Sequence, residues 1–310
     1  MLGADAAGIA AAAQILRAGG LVAFPTETVF GLGADATSNE AVAKIYAAKG
    51  RPSFNPLIAH VPDRAAAEKQ GLFSAQAAKL AEAFWPGPLT LVLPLAPTAT
   101  VCDLARAGLD SVALRVPSHP VARRLLAAAG LPLAAPSANP SGRVSAVTAA
   151  HVREDFDGRI DAIIDGAVAV GLESTIISCL GEKPALLRPG GVPRAAIEAV
   201  LGEKLAEAES GAAIRAPGML AAHYAPRARL RLNAKRLEPG EAGLDFGAHF
   251  PAATNALDLS PKGDLVEAAA HLFGYLRQLD AHYSAIAVAP IPEEGLGEAI
   301  NDRLRRAAVR

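Results

Sequence analysis

Cysteine is scarce in this sequence, and long apolar runs are missing. The 310 residues include two cysteines, Cys102 and Cys179, which are too few for a disulfide framework or a thiolate zinc site. We expect both to be buried thiols. No apolar run approaches the roughly 20 residues that a membrane span needs. No basic segment precedes an apolar core at the N-terminus, so we expect neither a membrane span nor a signal peptide.

The sequence also lacks an excess of charge of one sign. Lysine and arginine number 30 and aspartate and glutamate 31, so the formal net charge is −1. This balance removes bulk attraction to nucleic acid or to an anionic membrane as an argument for function, although a local basic face stays open. Hydrophobic residues make up 51% of the chain and charged residues 20%, which is typical of a globular protein. We expect a cytoplasmic protein of one large domain or two.

Several common catalytic signatures are absent. The chain has no G-K-[ST], which excludes a P-loop, no H-E-x-x-H, and no G-x-S-x-G nucleophile elbow. GLGADA at 31–36 matches a dinucleotide fingerprint, but neither the preceding strand nor a ribose-binding acid stands at the required spacing. Gly31 and Gly33 instead indicate a turn or a close backbone approach. Ser137 has no histidine nearby to activate it, so covalent catalysis is not supported.

Apolar periodicity and capping residues predict helices and short buried strands in the first two thirds of the chain. The predicted helices span 6–18, 38–49, 74–84, 120–129, 147–154 and 193–201. The predicted strands span 21–24, 57–61, 89–95, 111–116, 131–134, 162–164, 174–177 and 185–187. Because several strands follow one another directly, the pattern favours a mixed sheet over a repeated βαβ unit.

The pattern weakens between 205 and 226, which we interpret as a linker because it is rich in serine, glycine and proline. A smaller second set of elements follows. Its predicted strands span 228–232, 242–246, 253–257 and 285–289, and its predicted helices span 262–279 and 295–307. Alternation of strands with crossover helices predicts a small parallel α/β domain.

Polar side chains recur where apolar segments end. Lys49 follows the apolar face of a helix, where its charge could simply complement the helix dipole. With Arg51 it also offers a point charge and a planar fork, a pairing suited to polyphosphate oxygens. Arg115 lies between apolar neighbours, where a salt bridge to a buried acid explains it as well as ligand binding does. Six such places in about 200 residues predict one pocket for an anionic ligand.

Seven short motifs then carry a resemblance to a known family. In chain order they are FPTETVFGLGA, KGRP, NPLIAHV, LRVP, PSANPSG, ESTII and LRPGG. In this order they closely resemble the YrdC-like domain of the threonylcarbamoyl-AMP synthase family. APGMLAAHYAP at 216–226, followed by a second α/β domain, resembles the two-domain form of that family. The resemblance implies an open, twisted mixed α/β sheet with a large positive cavity, and a smaller Rossmann-like domain after it.

The resemblance also implies a reaction and its participants. L-threonine, bicarbonate and ATP would be joined into threonylcarbamoyl-adenylate with release of pyrophosphate, and Mg²⁺ would be carried in with ATP without a metal site of the protein's own. A tRNA-modifying threonylcarbamoyl transferase complex would then accept the intermediate and modify an adenosine beside the anticodon. The implied domain limits are 1–207 for the catalytic domain, 208–227 for the linker and lid, and 228–310 for the second domain.

The same resemblance implies roles for particular residues, Lys49 and Arg51 being the catalytic pair. The residues implied to bind ATP are Lys49, Arg51, Asn55, Ser137, Asn139, Ser145 and Arg188. Those implied to bind threonine are Thr28, His60, Arg115 and Ser174, and those implied to form a lid are His223 and Tyr224. Phe30 departs from the family, which has tyrosine at this place in its T-V-Y-G-L-G run, so any role for that hydroxyl is lost.

Two other functions stay open at the level of sequence. An RNA-binding module would use the cavity as a basic groove and would have no adenylating activity. The net charge of −1 and the lack of a basic cluster with interleaved aromatics count against it, and direct tRNA binding is not indicated by charge. A different acyl-adenylate or carbamoyl-phosphate enzyme on the same fold is the other alternative.

Overall fold

The computed structural model describes residues 1–207, 223–251 and 253–309. Its larger sheet is mixed and, among these residues, has ten strands. In chain order they are β1 (Val22–Pro25), β2 (Phe30–Asp35), β3 (Ile58–His60), β4 (Leu89–Pro94), β5 (Ser111–Arg115), β6 (Leu133–Ala134), β7 (Ala162–Ile163), β8 (Thr175–Ser178), β9 (Ala185–Arg188) and β10 (Ala206–Glu207). Their order across the sheet is β10-β9-β8-β4-β5-β3-β6-β2-β1-β7, so the predicted mixed sheet is confirmed.

Helices accompany this sheet, and all but the two short ones at 64–68 and 103–106 lie where helices are predicted. In chain order they are α1 (Ala6–Arg17), α2 (Asn39–Lys49), α3 (Arg64–Glu68), α4 (Ala75–Phe84), α5 (Asp103–Arg106), α6 (Pro120–Ala129), α7 (Ala149–Phe156) and α8 (Arg194–Leu201). The Ser38 side chain accepts the backbone N–H of Ala41 at the start of α2. Gly50 ends α2 in the left-handed region at φ 59°, which a glycine adopts without strain.

Strand β2 was not predicted, and it contains both glycines of the dinucleotide-like motif. It pairs antiparallel with β1. The turn expected at these glycines is therefore wrong, but the close approach is confirmed, since a Cβ on Gly33 would lie 2.7 Å from Phe24 Cε1. Cys179 is buried as expected, whereas Cys102 is only half-buried because it precedes the short surface helix α5.

The second sheet has four described strands, all parallel, which confirms the predicted small α/β unit. They are β11 (Arg229–Arg231), β12 (Ala242–Asp245), β13 (Ala256–Asp258) and β14 (Ala285–Val288), in the order β11-β14-β12-β13. Its helices are α9 (Leu265–Asp280) and α10 (Gly297–Ala308). Strand β13 starts three residues later than predicted, because 253–255 belong to the preceding turn.

The core of the second unit continues into the first. Val29, Val144, Val147 and Leu172 pack in the same hydrophobic cluster as the buried face of α9. Most of the predicted linker, 208–222, lies outside the described residues, and the limits at 207 and 228 stay predictions. Within the described ranges, no helix has both the length and the apolar character that crossing a bilayer requires.

Candidate functional site

A narrow cavity of about 40 Å³ lies where the ends of several elements of both units meet. Ten of the predicted site residues line it: Thr28, Lys49, Arg51, His60, Arg115, Ser137, Ser174, Arg188, His223 and Tyr224. The fold therefore brings residues from eight separate stretches of the sequence to one place. Among the described residues this cavity is far smaller than the one that the family resemblance implies, because His223 and Tyr224 form part of its wall.

Lys49 is the last residue of α2, and it is buried. Its ammonium donates to the backbone carbonyl oxygens of Ser137, at 2.6 Å, and of Asn139. Burial and the neighbouring Arg51 hold the pKa of Lys49 well below its usual range. These contacts with the 137–139 loop go beyond a helix-dipole role. Lys49 closes the helix predicted at 38–49, and Gly50 turns the chain directly after it.

Arg51 is held by its own loop. Its Nε donates to the carbonyl of Asn55 at 3.2 Å and its Nη2 to that of Pro56 at 3.0 Å. Burial lowers the pKa of the guanidinium to about 10, so it remains charged at neutral pH. Lys49 and Arg51 thus place two basic groups on the wall of the same cavity, and the charge of Asp155 also acts on Lys49.

Three predicted ATP-binding residues do not line the cavity but contact residues that do. The carbonyl of Asn55 accepts from Arg51, and that of Asn139 accepts from Lys49. Ser145 donates its hydroxyl to Glu173 Oε1 at 2.6 Å. The side-chain carbonyl oxygens of Asn55 and Asn139 are buried, and neither has a hydrogen-bond partner in the part of the chain that the structure describes. These three residues hold the cavity wall in this conformation.

Arg115 forms a salt bridge with a buried acid, which is one of the two explanations that the sequence leaves open for it. Its Nη2 lies 2.6 Å from Glu27 Oε1, and its Nη1 donates to Thr28 Oγ1 at 2.9 Å. Burial would raise the pKa of the Glu27 carboxyl, but the charge and hydrogen bond of Arg115 lower it below its usual value. The turn after β1 therefore carries Glu27 as a partner for Arg115, a role that sequence reasoning left unassigned.

His60 lies beside Arg115, because β3 and β5 pair in parallel with these two residues in register. Burial, with Arg115 nearby, lowers the pKa of His60 to about 3, so the imidazole is neutral at physiological pH. Arg188 also lines the cavity, and it donates to the Ser174 carbonyl at 2.8 Å and to its hydroxyl at 3.3 Å. This part of the wall therefore combines hydroxyls, a neutral imidazole and two guanidiniums.

Glu173 and Arg303 belong to the site but were missed. Glu173 lines the cavity, and its Oε2 accepts from Arg303 Nε at 2.8 Å. Burial would raise the pKa of Glu173, but Arg303, Arg188 and the Ser145 hydroxyl lower it. Glu173 is the first residue of the ESTII motif, so the sequence did mark its position as part of a candidate site. Arg303 lies 130 residues further on in an amphipathic helix, where nothing in the sequence distinguishes it from a surface arginine.

The two predicted lid residues line the cavity and pack against the second unit. The Tyr224 ring stacks on Phe273 of α9, with ring centroids 5.6 Å apart, and the His223 ring meets Tyr224 edge to face at 4.0 Å. Burial, with the cations Arg51 and Lys49 nearby, lowers the pKa of His223 to about 3. The lid therefore places a neutral imidazole against a cationic wall.

The arrangement suits a polyanion more than any other class of ligand. Lysine and arginine outnumber carboxylates on the wall, and all are buried enough for their charges to act strongly. The lining residues include no activated nucleophile. Among the described residues, no group of three or more His, Cys, Asp or Glu side chains could hold a metal ion. Binding, orientation and charge neutralisation are what this wall can supply.

Sequence and structure comparisons agree with this geometry. Residues 14–190 match the Sua5/YciO/YrdC family profile, described as "Telomere recombination", and residues 192–309 match the threonylcarbamoyl-AMP synthase C-terminal domain. The chain is 42% identical to the Bacillus subtilis protein named threonylcarbamoyl-AMP synthase, over 97% of this chain and 92% of that one. The Pyrococcus abyssi protein of the same name is also 42% identical, over 96% and 93%.

A solved structure extends the likeness to the whole fold. Pyrococcus abyssi Sua5 complexed with L-threonine superposes with a TM-score of 0.90 at 39% identity, covering 98% of this chain and 95% of that one. The likeness therefore covers both units, and the chain belongs to the threonylcarbamoyl-AMP synthase family.

Proposed function

We propose that this protein is an L-threonylcarbamoyladenylate synthase. It joins L-threonine, bicarbonate and ATP into threonylcarbamoyl-adenylate and releases pyrophosphate. The observation that carries the proposal is the cavity itself, in which Lys49, Arg51 and Arg188 converge with Arg115, His60 and two hydroxyls. Relatives of the same name at 42% identity over nearly the full chain support it.

The reaction requires positioning and charge neutralisation more than covalent chemistry. Threonine and bicarbonate give the threonine carbamate with loss of water. A carbamate oxygen then bonds to the α-phosphorus of ATP as the bond from that phosphorus to the pyrophosphate oxygen breaks. Negative charge moves onto pyrophosphate, which Lys49 and Arg51 neutralise. Mg²⁺ enters as part of the ATP substrate and adds further positive charge beside the phosphates.

We assign the two ends of the cavity to the two substrates. Lys49, Arg51 and Arg188 face the phosphates, and Ser137, Asn55, Asn139 and Ser145 shape the surrounding loops for the nucleotide. Arg115 and the hydroxyls of Thr28 and Ser174 hold threonine, the guanidinium meeting its carboxylate. His60 is neutral, so it offers the amino acid a hydrogen bond without adding another charge.

The lid gives the reaction a dry site. A cavity of about 40 Å³ holds only a few waters and is far too small for ATP and threonine. His223 and Tyr224 therefore move out when substrates enter and return over them. Closure excludes water from a carbamate that decomposes in it and strengthens the charge interactions inside.

The downstream steps follow from the product. Threonylcarbamoyl-adenylate is an activated acyl group, so a tRNA-modifying transferase complex in the cytoplasm is its acceptor. The net charge of −1 gives no reason for this chain to bind tRNA by itself. We place the catalytic domain at 1–207, the linker and lid at 208–227 and the second domain at 228–310.

The test is ATP-dependent pyrophosphate release with bicarbonate, with and without L-threonine, and with serine, valine and glycine for comparison. We expect release to depend on threonine and bicarbonate. Lys49→Met and Arg51→Ala should lower it at least about 100-fold, as loss of a transition-state charge contact does. Lys44→Ala is the matched control, because Lys44 lies on the same helix and its ammonium contacts Gly19. A melting curve for each variant separates lost catalysis from lost folding.

Three results would contradict this assignment. Near-normal turnover of folded Lys49→Met removes Lys49 from the mechanism. Release without preference for any amino acid points to a different adenylating enzyme. Salt-dependent RNA binding without ATP turnover supports the RNA-binding module.

A further inference from the structure

Arg303 is a guanidinium from the second unit that reaches the wall of the cavity. It lies on α10 and is fully buried, a rare state for arginine that requires partners. Its Nε donates to Glu173 Oε2 at 2.8 Å, and its Nη1 donates to Asp302 Oδ2 at 2.7 Å. Glu173 lines the cavity and accepts the Ser145 hydroxyl on its other oxygen. Arg303 is thus one residue removed from the nucleotide side of the site.

The same guanidinium contacts the lid. Its central carbon lies 5.1 Å from the centroid of the Tyr224 ring, a distance at which a cation is attracted to the ring face. Tyr224 is 1% exposed and stacks on Phe273. Its φ of 63° is in the left-handed region, which costs a bulky side chain energy and persists only when surrounding contacts enforce it. Phe273 and Arg303, which contact its ring, both belong to the second unit.

The backbone of the lid is tied on both sides of the junction. The amide of His223 donates to the carbonyl of Arg306 on α10 at 3.3 Å. The amide of Ala225 donates to the carbonyl of Gly142 in the first unit at 2.7 Å. The lid therefore bridges the two units, with Tyr224 between these two hydrogen bonds.

We propose that Arg303 is a positioning residue through which the second domain latches the lid over the substrate cavity. One group holds both the ring of Tyr224 and the carboxylate of Glu173, so the closed lid and the wall behind the nucleotide are set together. The catalytic part of this role rests on the proposed function, but the latch itself does not. It gives the second domain a task that the first domain cannot perform alone.

The geometry requires arginine. A planar guanidinium presents its N–H edge to the carboxylate and its face to the ring at the same time. A lysine ammonium could pair with Glu173, but it has no planar group to stack on the Tyr224 ring. Arg303→Lys therefore keeps the buried charge pair and weakens the contact with the lid. Arg303→Met removes both contacts and leaves Glu173 with less compensation.

The experiment is hydrogen exchange of the full-length protein without substrates, followed at the amides of His223 and Ala225. We expect these amides to exchange roughly tenfold faster in Arg303→Lys, the loss expected of a desolvated cation–π contact. Arg303→Met should increase their exchange further. Glu298→Gln is the matched control, because it breaks another ion pair between the two units on the same helix, to Arg194 at 2.7 Å. Its lid amides should exchange as in the wild type.

Activity measurements then separate positioning from general stability. In Arg303→Lys the KM for ATP should rise several-fold more than kcat falls, because lid opening weakens substrate retention and leaves Lys49 and Arg51 in place. Unchanged exchange at His223 and Ala225 in folded Arg303→Lys overturns the latch. An equal change in Glu298→Gln overturns it as well. Faster lid exchange in a protein whose wild type releases no pyrophosphate keeps the latch and rejects the proposed function.

Discussion

The buried pair of Glu27 and Arg115 allows the most quantitative test of the site. The two side chains are 8% and 5% exposed, and their atoms lie 2.6 Å apart. Glu27 also accepts the backbone N–H of His119 at 3.3 Å. Glu27→Gln keeps the shape of this side chain and removes its charge, so the perturbation is electrostatic. It leaves the guanidinium of Arg115 buried without its main counter-ion.

The expected loss in the free energy of unfolding is about 3 kcal/mol, at the lower end of the range for breaking a buried pair because glutamine still accepts a hydrogen bond. Glu68→Gln is the control. Its pair with Arg64, at 2.9 Å, is 42–49% exposed and should contribute less than about 1 kcal/mol. Removing both charges, in Glu27→Gln/Arg115→Met, should recover part of the lost stability, since no uncompensated charge remains buried.

Urea unfolding followed by tryptophan fluorescence measures this loss of stability in the unit that contains Glu27 and Arg115. The chain has one tryptophan, Trp85, whose indole N–H donates to the Leu89 carbonyl at 2.7 Å beside β4. Because the pKa of Glu27 is lowered in the folded protein, its contribution is present above the ordinary value of 4.5 and is lost as pH falls through the folded value. A loss no larger than that of Glu68→Gln, or one independent of pH, would refute the reasoning.

Two further predictions concern the lid and the wall. The pKa of His223 is about 3 with the lid closed, against 6.5 ordinarily. Protonation of the imidazole therefore favours the open lid as pH falls from 6.5 towards 3. At pH 5 the ratio of open to closed lid should be about 30-fold higher than at neutral pH. Hydrogen exchange at Ala225, corrected for its intrinsic pH dependence, should show this shift and lose it in His223→Asn. Gly190→Ala should cost about 2–3 kcal/mol in urea unfolding, because its Cβ would lie 2.4 Å from the Glu173 carbonyl oxygen. Gly181→Ala, with nothing nearer than 3.8 Å, should be close to neutral, and equal losses in the two variants would contradict the close approach.

Local signals in the sequence predicted local structure well. Ser38 and Gly50 bound α2 as their side-chain chemistry and backbone freedom require. The predicted apolar runs are buried strands in the structure, and most of their boundaries differ from the predicted ones by a few residues. Strand β2 escaped prediction because two glycines in six residues give it low β propensity, and its pairing with β1 and β6 is what stabilises it.

The site was predictable where short motifs carry it and not where distant segments complete it. Lys49, Ser137 and Arg188 stand in motifs, and the structure brings them to one cavity. The Glu27 partner of Arg115 is 88 residues away in sequence, so the pair could be suspected but not identified. Arg303 has no local signature, because its role depends on how two domains dock.

The Glu173–Arg303 pair also constrains how such chains can change over generations. Losing the arginine first leaves a buried carboxylate, and losing the acid first leaves a buried guanidinium; both intermediates are less stable than either end state. Positions 173 and 303 should therefore vary together among two-domain members, the pair being kept whole or replaced whole. A member without the second domain has no helix from which to offer this guanidinium, so its equivalent of Glu173 must be neutral, solvated or paired from another direction.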